Sequence, residues 1–298
     1  MTKKQFMQQL TEVLREKYKE TGWKIESDVF LKNNDTDKYG IMFHPPEDSI
    51  TPTIYIDDFY KDFISKKSTL SEIAEQIQML IESIKGQTSK YEKITIDFDS
   101  CKSKIVYRLI SFSKNERMLQ SCPYLPFLDF AITFHVMCNY SSKGLETMRI
   151  TNELMEKWQV GVRELFALAQ ENTPIHFPPQ IEPLHNVLAK YLGQEENTVN
   201  DDENHFPILM VSNIQGINGA TVILYKNLVK ELVDPYKKNF YLIPSSIHEF
   251  LLMPETEETS LNDISEMVKQ INEEHVRDEE ILSDHAYLYN WKENKFYF

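Results

Sequence analysis

The segment Tyr241–Pro254 constrains the fold of this chain more than any other stretch. Two short apolar runs flank a compact polar step, which consists of Ser245, Ser246, His248 and Glu249. Short apolar runs bounded by turn-forming residues are typical of buried strands. Because proline cannot donate to a ladder, the first strand is predicted to end at Pro244 and the second to begin near Ile247. The segment therefore predicts a hairpin-like bend that holds two hydroxyls, an imidazole and a carboxylate at a buried corner.

Helical and strand patterns come in groups along the rest of the chain. Thr2 with Gln5 and Thr69 with Glu72 form capping boxes before two apolar stripes, and Ser260 caps the last long helix. Short alternating strands between residues 23 and 56 predict an antiparallel meander covered by the first helix. The longest strand is expected over residues 128–138. Grouped helices and antiparallel strands predict an α+β fold, with sheets packed against amphipathic helices.

The domain organisation is expected to be bilobal. Composition shifts after Asn139, which predicts an N-terminal α+β lobe over residues 1–145 and a C-terminal α+β lobe over residues 146–298. One continuous sheet built from both halves would give the same pattern. In the second half, four prolines from Pro174 to Pro183 are expected to exclude helix, and a helix is predicted over residues 181–192. The polar, acidic stretch Gln194–Asn204 predicts a mobile loop.

Charge and cysteine usage restrict the partners and the compartment. The chain has 32 Lys and Arg against 46 Asp and Glu, so its formal net charge is −14, the opposite of most nucleic-acid binders. Its three cysteines show no paired spacing, which argues against a secreted disulfide scaffold. No apolar run approaches the about 20 residues that span a bilayer, and no signal peptide is evident. We expect a cytoplasmic protein that binds neither nucleic acid nor membrane.

The polar corner supplies the residue types of a hydrolase. Ser245 or Ser246 could act as nucleophile, with His248 as base and Glu249 as the orienting acid. If the second strand includes His248 and Glu249, however, their side chains point to opposite faces. A relay would then need Asp284 and His285 brought alongside by folding. A tight corner whose hydroxyls bond backbone groups is the competing interpretation.

Cofactor and metal signatures are weak in this sequence. Gly216 and Gly219 lack the following residues of a phosphate-binding loop, and an ordinary turn explains them. His275 and Glu279 would share a helix face only if the last long helix continued past them. Zinc sites need a denser cluster of ligands than these residues form with Asp284 and His285. We predict no cofactor and no metal.

Several short segments distributed along the chain carry a resemblance to a known family. They are Thr51–Tyr55, Ile150–Met155 leading to Trp158, Asn218–Ala220, Ile243–Glu249, and Leu282–His285 before Tyr287 and Tyr289. In these segments the chain resembles an uncharacterised bacterial family of about this length, a domain of unknown function. The chain departs from that pattern at Gln159, where glycine is expected, and at Asn290–Trp291, where an acidic–basic pair is expected. The resemblance implies one unit running end to end and no assigned activity.

A binding function is the resulting prediction. Missing catalytic signatures, high aromatic content and dispersed acidity favour a module that binds a protein or a small ligand without catalysis, with a protein partner expected. The alternative is a hydrolase-like enzyme that uses the corner Ser245–Glu249 with Asp284 and His285. A further alternative is an acidic accessory protein that blocks a nucleic-acid-binding partner.

Overall fold

The computed structural model describes residues 1–46, 51–85, 96–141, 144–193 and 208–298, so the loop predicted over Gln194–Asn204 lies outside the described residues. The α-helices are α1 (Lys3–Tyr18), α2 (Asp57–Ile64), α3 (Leu70–Lys85), α4 (Phe98–Cys101), α5 (Glu116–Leu119), α6 (Asn152–Trp158), α7 (Val162–His176), α8 (Leu184–Tyr191), α9 (Leu228–Val233) and α10 (Leu261–His275). The strands are β1 (Lys24–Leu31), β2 (Asp37–His44), β3 (Thr53–Tyr55), β4 (Ile105–Ser111), β5 (Tyr124–Phe127), β6 (Phe130–Ser141), β7 (Gly144–Arg149), β8 (Pro179–Pro183), β9 (Leu209–Asn213), β10 (Phe240–Pro244), β11 (Phe250–Pro254), β12 (Tyr287–Asn290) and β13 (Lys295–Tyr297). None of the described helices has both the length and the hydrophobicity that a membrane crossing requires.

The chain divides into two compact units, of which the first comprises residues Met1–Lys32 and Thr36–Thr95. Strands β1, β2 and β3 form an antiparallel sheet in that order, which confirms the predicted meander. Helix α1 begins with the predicted capping box, in which Thr2 Oγ1 accepts from Gln5 N–H at 3.2 Å. Its buried face includes Phe6 and Leu10, and these residues pack in one core with α3 and the sheet. Local capping and the apolar stripe together therefore position α1.

The second unit comprises Asn33–Asp35 and Ile96–Phe298 and contains two antiparallel sheets. One sheet has six strands in the order β13-β12-β10-β11-β9-β8. In the other sheet, β6 pairs with β4 along one edge, while β5 and β7 share its other edge. Phe130, Phe250 and Tyr287 are fully buried and connect the two sheets through aromatic contacts. The predicted α+β class is confirmed, and the predicted boundary after residue 145 stays a prediction.

A short segment, Asn33–Asp35, is held within the second unit by hydrogen bonds. The Asn34 backbone N–H donates to Asn115 Oδ1 at 2.7 Å, and the Asn115 amide donates back to Asn34 Oδ1 at 2.8 Å. The Asn34 side-chain amide also donates to the carbonyl oxygens of Asp278 and Ile281, each at 2.6 Å. Asn34 has a φ of 57°, a conformation that asparagine tolerates better than most residues. These bonds make the segment part of the second unit.

The proline-rich stretch departs from its prediction at both ends. Helix α7 continues through Pro174 to His176, although Pro174 has no N–H to donate to the Gln170 carbonyl oxygen. Residues Pro179–Pro183 form β8, an edge strand paired with β9, so the predicted start of the next helix at Ile181 is wrong. Edge strands accommodate proline because one side of their ladder is unpaired. Helix α8 therefore begins only at Leu184.

Gln159, where the resemblance predicts glycine, lies just after α6 in the left-handed conformation, with φ 58° and ψ 36°. Since glycine adopts this conformation without strain, we expect Gln159→Gly to raise the free energy of unfolding by up to about 1 kcal/mol. Gln170 on the exposed side of α7 is the matched control. Because glycine is unfavourable inside a helix, Gln170→Gly should lower the free energy of unfolding by about 0.5–1 kcal/mol. Urea unfolding of both variants measures the two values. A Gln159→Gly variant less stable than the parent would contradict the assignment.

Candidate functional site

The predicted polar corner lies in the turn between β10 and β11. Pro244 ends β10 as predicted, but Pro244 pairs with Phe250, so β11 begins at Phe250 and the start predicted near Ile247 is wrong. The physical reason is that Ser245 N–H and Ser246 N–H both donate to the Glu249 carbonyl oxygen, at 3.2 and 3.4 Å, which closes a turn. His248 and Glu249 therefore lie in a loop, and the argument about opposite faces of a strand does not apply to them.

The side chains of this turn bond one another and their neighbours. Ser246 is buried, accepts from His248 N–H at 3.0 Å and donates from Oγ to Glu249 Oε1 at 3.2 Å. His248 Nδ1 accepts from Asn218 N–H at 3.2 Å, which places the ring proton on Nε2. His248 Nε2 lies 3.3 Å from Glu280 Oε1. Both imidazole nitrogens are thus occupied, and no serine hydroxyl among the described residues is hydrogen-bonded to either.

Glu280 is the acid that the fold provides to His248. Burial raises the pKa of its carboxyl, but the hydrogen bonds and charges of Arg277 and His248 outweigh burial and leave the pKa below the ordinary value. Arg277 Nε donates to Glu280 Oε2 at 3.0 Å, and its Nη2 donates to Oε1. An ionised Glu280 can therefore orient the His248 ring. Sequence reasoning missed Glu280 because it lies 32 residues away from His248 in the chain.

Asp284 and His285 have partners of their own. Asp284 accepts from the Asn272 amide at 2.8 Å and forms an ion pair with Lys114 at 3.0 Å. Burial raises the pKa of Asp284, yet the bonds from Asn272 and Lys114 leave it below the ordinary value. His285 is exposed, and its backbone N–H donates to Ser283 Oγ at 3.1 Å. Among the described residues, no hydrogen bond connects Asp284 or His285 to the corner Ser245–Glu249.

The His275 and Glu279 pair does not share a helix face. Helix α10 ends at His275, and Glu279 lies in a separate 3₁₀ turn, Asp278–Glu280. The nearest ionic partner of His275 is Glu274, at 3.6 Å. Within the described ranges, no group of three or more His, Cys, Asp or Glu side chains is placed to hold a metal ion.

A second polar site lies on one face of the sheet around β6. Thr133 is paired with Arg108 of β4, and His135 is paired with Arg149 of β7. Alternate residues of a strand share a face, so all four side chains start from the same side of the sheet. The other side of β6 carries Phe130, Ile132, Phe134 and Val136, which are buried in the core. Hence two arginines flank a histidine on the face turned away from this core.

The two guanidiniums of this face lack acidic partners. Arg108 is half-buried and donates from Nη2 to Thr147 Oγ1 of β7 at 2.6 Å, so it reaches across β6. Arg149 Nε is buried and has no hydrogen-bond partner. Neither arginine forms an ion pair with any carboxylate in the described part of the chain. Asp35, whose charge acts on Arg149, accepts instead from the backbone N–H groups of Arg117 and Met118.

Burial is the main influence on the pKa values of this face, and the charge of Asp35 offsets part of it at Arg149. Burial, and then the charge of Arg149, lowers the pKa of Arg108 to about 10. Burial also lowers the pKa of Arg149. Burial and both arginines hold the pKa of His135 well below its ordinary value, so its ring is neutral at neutral pH. Both guanidiniums are charged at neutral pH, and folding places them side by side at a cost.

The sequence predicts the long strand that carries Thr133 and His135, but it does not single out the arginines. The signal that the sequence offers is weak: Arg108 and Arg149 each have an apolar residue on either side.

Comparison with known proteins gives one family. A family model described as a family of unknown function, DUF5688, matches residues 3–291. No curated protein and no solved structure matches the chain.

Proposed function

This chain belongs to the DUF5688 family, a family of unknown function, and we propose that it is a binding module for a small anionic ligand. One observation carries the proposal. Arg108 and Arg149 lie on one sheet face, half-buried, with no carboxylate of the described residues paired to either. Buried charges are normally paired, because removing an ion from water is costly. An anion from solution would supply the missing partner.

The neighbouring groups suit recognition better than catalysis. Thr133 Oγ1 lies 3.2 Å from His135 Nε2, so these two side chains fix each other. Thr147 Oγ1 accepts from Arg108 and fixes its guanidinium. His135 is buried, and the low pKa of its ring leaves it neutral at neutral pH. The arrangement offers fixed N–H donors and positive charge, which are the requirements for anion binding.

The other roles inferred for this chain are proposals with less support. The hydrolase alternative has an oriented imidazole in His248 with Glu280, but its hydroxyl would have to come from Ser245 or Ser246 by rearrangement of the turn. A protein partner and the acidic accessory role remain predictions, and so does the cytoplasmic location.

The proposal predicts that removing one guanidinium stabilises the free protein. The lowered pKa values mean that folding disfavours the charged guanidiniums, which reduces the free energy of unfolding at neutral pH. This cost falls only when Arg108 loses its proton in the folded protein, above about pH 10. We therefore expect Arg149→Met to raise the free energy of unfolding by about 1–3 kcal/mol. The same variant should lose the stabilisation that multivalent anions give the parent protein.

Thermal unfolding with sodium phosphate, sulfate or citrate, each against sodium chloride at equal ionic strength, measures both effects. A bound anion at concentration c stabilises the folded state by RT ln(1 + c/Kd), so the unfolding temperature rises with the anion concentration. Arg163 is exposed on α7, so Arg163→Met serves as the matched control and should change neither quantity. The proposal is refuted if the Arg149→Met variant is less stable than the parent and if anions raise its unfolding temperature as much as they raise that of the parent.

A further inference from the structure

The charge on the arginine face specifies how much negative charge the ligand carries. With His135 neutral, Arg108 and Arg149 present two positive charges in a partly buried setting, and Asp35, whose carboxylate accepts from backbone N–H groups, offsets only part of the charge on Arg149. A single carboxylate would neutralise only one of them and would leave the other buried and unpaired. A dianion balances both. The charge balance therefore favours a doubly charged group over a monocarboxylate.

The donor geometry specifies how the negative charge is distributed. Arg149 Nε is buried, and the described residues give the two Nη atoms of Arg149 no hydrogen-bond partner, so these two atoms form the fork that can meet a ligand, while Arg108 has Nη2 bonded to Thr147. The oxygens of a carboxylate lie in one plane and are matched by one fork. The oxygens of a phosphoryl group diverge in three dimensions, so two forks that arrive from opposite edges of β6 can each engage it. Both arginines are therefore used only by a tetrahedral anion.

The charge on the whole chain limits the size of the ligand. A net charge of −14 repels a long polyanion, and nucleic-acid binders need extended basic surfaces. Two guanidiniums within one sheet face attract a compact anion over a short range only. The ligand thus carries its phosphoryl group on a small molecule.

We infer that this face, between β4 and β7, binds the dianionic phosphoryl group of a small phosphate monoester or of inorganic phosphate. The inference rests on the proposed function and names its ligand class. Arg149 supplies the bidentate fork, and Arg108, held by Thr147, supplies the second charge from the other edge of β6. Free phosphate and phosphate monoesters share this chemistry.

Titration calorimetry with methyl phosphate, inorganic phosphate, sulfate and succinate at pH 7.5 tests the ligand class. We expect methyl phosphate to bind at least about tenfold tighter than succinate, because only the phosphoryl group engages both forks. Inorganic phosphate binding as tightly as methyl phosphate indicates the free ion, and a clear preference for methyl phosphate indicates a monoester. Both results support the inference.

The pH dependence separates the charge of the ligand from the charges of the protein. Phosphate monoesters lose their second charge below a pKa of about 6, so their affinity should fall about tenfold between pH 7.5 and pH 5. Sulfate keeps two charges over that range. Burial and both arginines lower the pKa of His135, and any titration of His135, Asp35 or Cys122 would affect both ligands alike, so a fall in methyl phosphate affinity that sulfate does not share reports the charge of the ligand.

Two variants complete the test. Arg149→Lys keeps the charge but loses the fork, so methyl phosphate affinity should fall about tenfold or more. Arg163→Met should leave it unchanged. Succinate binding as tightly as methyl phosphate would overturn the phosphoryl assignment while the anion-binding function stands. Failure of every anion to bind the parent protein would overturn both.

Discussion

Replacing Gly219 by alanine is expected to destabilise this protein by about 3 kcal/mol. A Cβ added at Gly219 would collide with Ser212 Oγ and with the carbonyl oxygen of His248, and it would lie 2.8 Å from Asn213 N. Two of these three neighbours are backbone atoms, and Asn213 belongs to a strand of the six-stranded sheet. Neither can move without disturbing hydrogen bonds that hold the polar corner. The glycine is therefore required for close approach of the backbone.

Guanidinium unfolding curves of the parent and of Gly219→Ala measure this loss. Gly161 is the matched control, because it lies at the start of α7 with nothing within 4 Å of an added Cβ. Gly161→Ala should cost at most about 1 kcal/mol. Equal stability of the two alanine variants would show that the backbone around Gly219 can move to accept a side chain.

The second large effect is expected for Asp129, which lies in the short turn between β5 and β6. Its carboxylate accepts from the Tyr287 hydroxyl and, at 3.1 Å, from Ser283 Oγ. Both donors are buried. Burial, and then Asp129, raises the pKa of the Tyr287 phenol, so this group stays protonated and needs an acceptor. Asp129→Ala removes the acceptor of the Ser283 hydroxyl and leaves the Tyr287 hydroxyl with Ser283 Oγ alone, at 2.8 Å, so we expect a loss of about 3 kcal/mol.

A double-mutant cycle with Tyr287→Phe isolates the hydrogen bond. If the bond is the cause, Asp129→Ala should cost clearly less in the Tyr287→Phe background than in the parent, with a coupling of about 1–2 kcal/mol. Asp129→Asn keeps an acceptor oxygen and should retain part of the stability. Additive effects of Asp129→Ala and Tyr287→Phe would rule out the proposed coupling.

Local signals in the sequence predict the helix starts well. Thr2 with Gln5, Thr69 with Glu72, and Ser260 all cap helices as expected, because capping depends on residues only three positions apart. The meander and the long strand also follow from alternation within single segments. In contrast, β8 was missed because its strand character comes from pairing with β9 and not from its own proline-rich sequence.

The corner is only partly predictable. Its residues and the end of β10 at Pro244 follow from the sequence, but the turn extends to Glu249 because backbone bonds to the Glu249 carbonyl close it. Those bonds have no sequence signature. The partner of His248 is Glu280, and that contact depends on how a distant segment folds.

The arginine face could not have been derived from the sequence, for a related reason. Arg108 and Arg149 lie on strands that flank β6 from opposite edges, so their proximity depends on the register of two separate pairings. A shift of one residue in either pairing would turn one arginine to the core face. Sequence patterns fix the faces of each strand but not the register between strands.

The position of Asn33–Asp35 affects how this protein can be dissected. These three residues belong to the second unit, although the residues on both sides of them belong to the first. A fragment that starts at Ile96 would lack them. The side-chain amide of Asn115 would then lose both of its hydrogen bonds to Asn34, and the carbonyl oxygens of Asp278 and Ile281 would lose the donor that Asn34 provides. No single cut in the gene therefore yields two intact halves. Recombinant work on the second unit requires a circularly rearranged or grafted polypeptide that carries this tripeptide along.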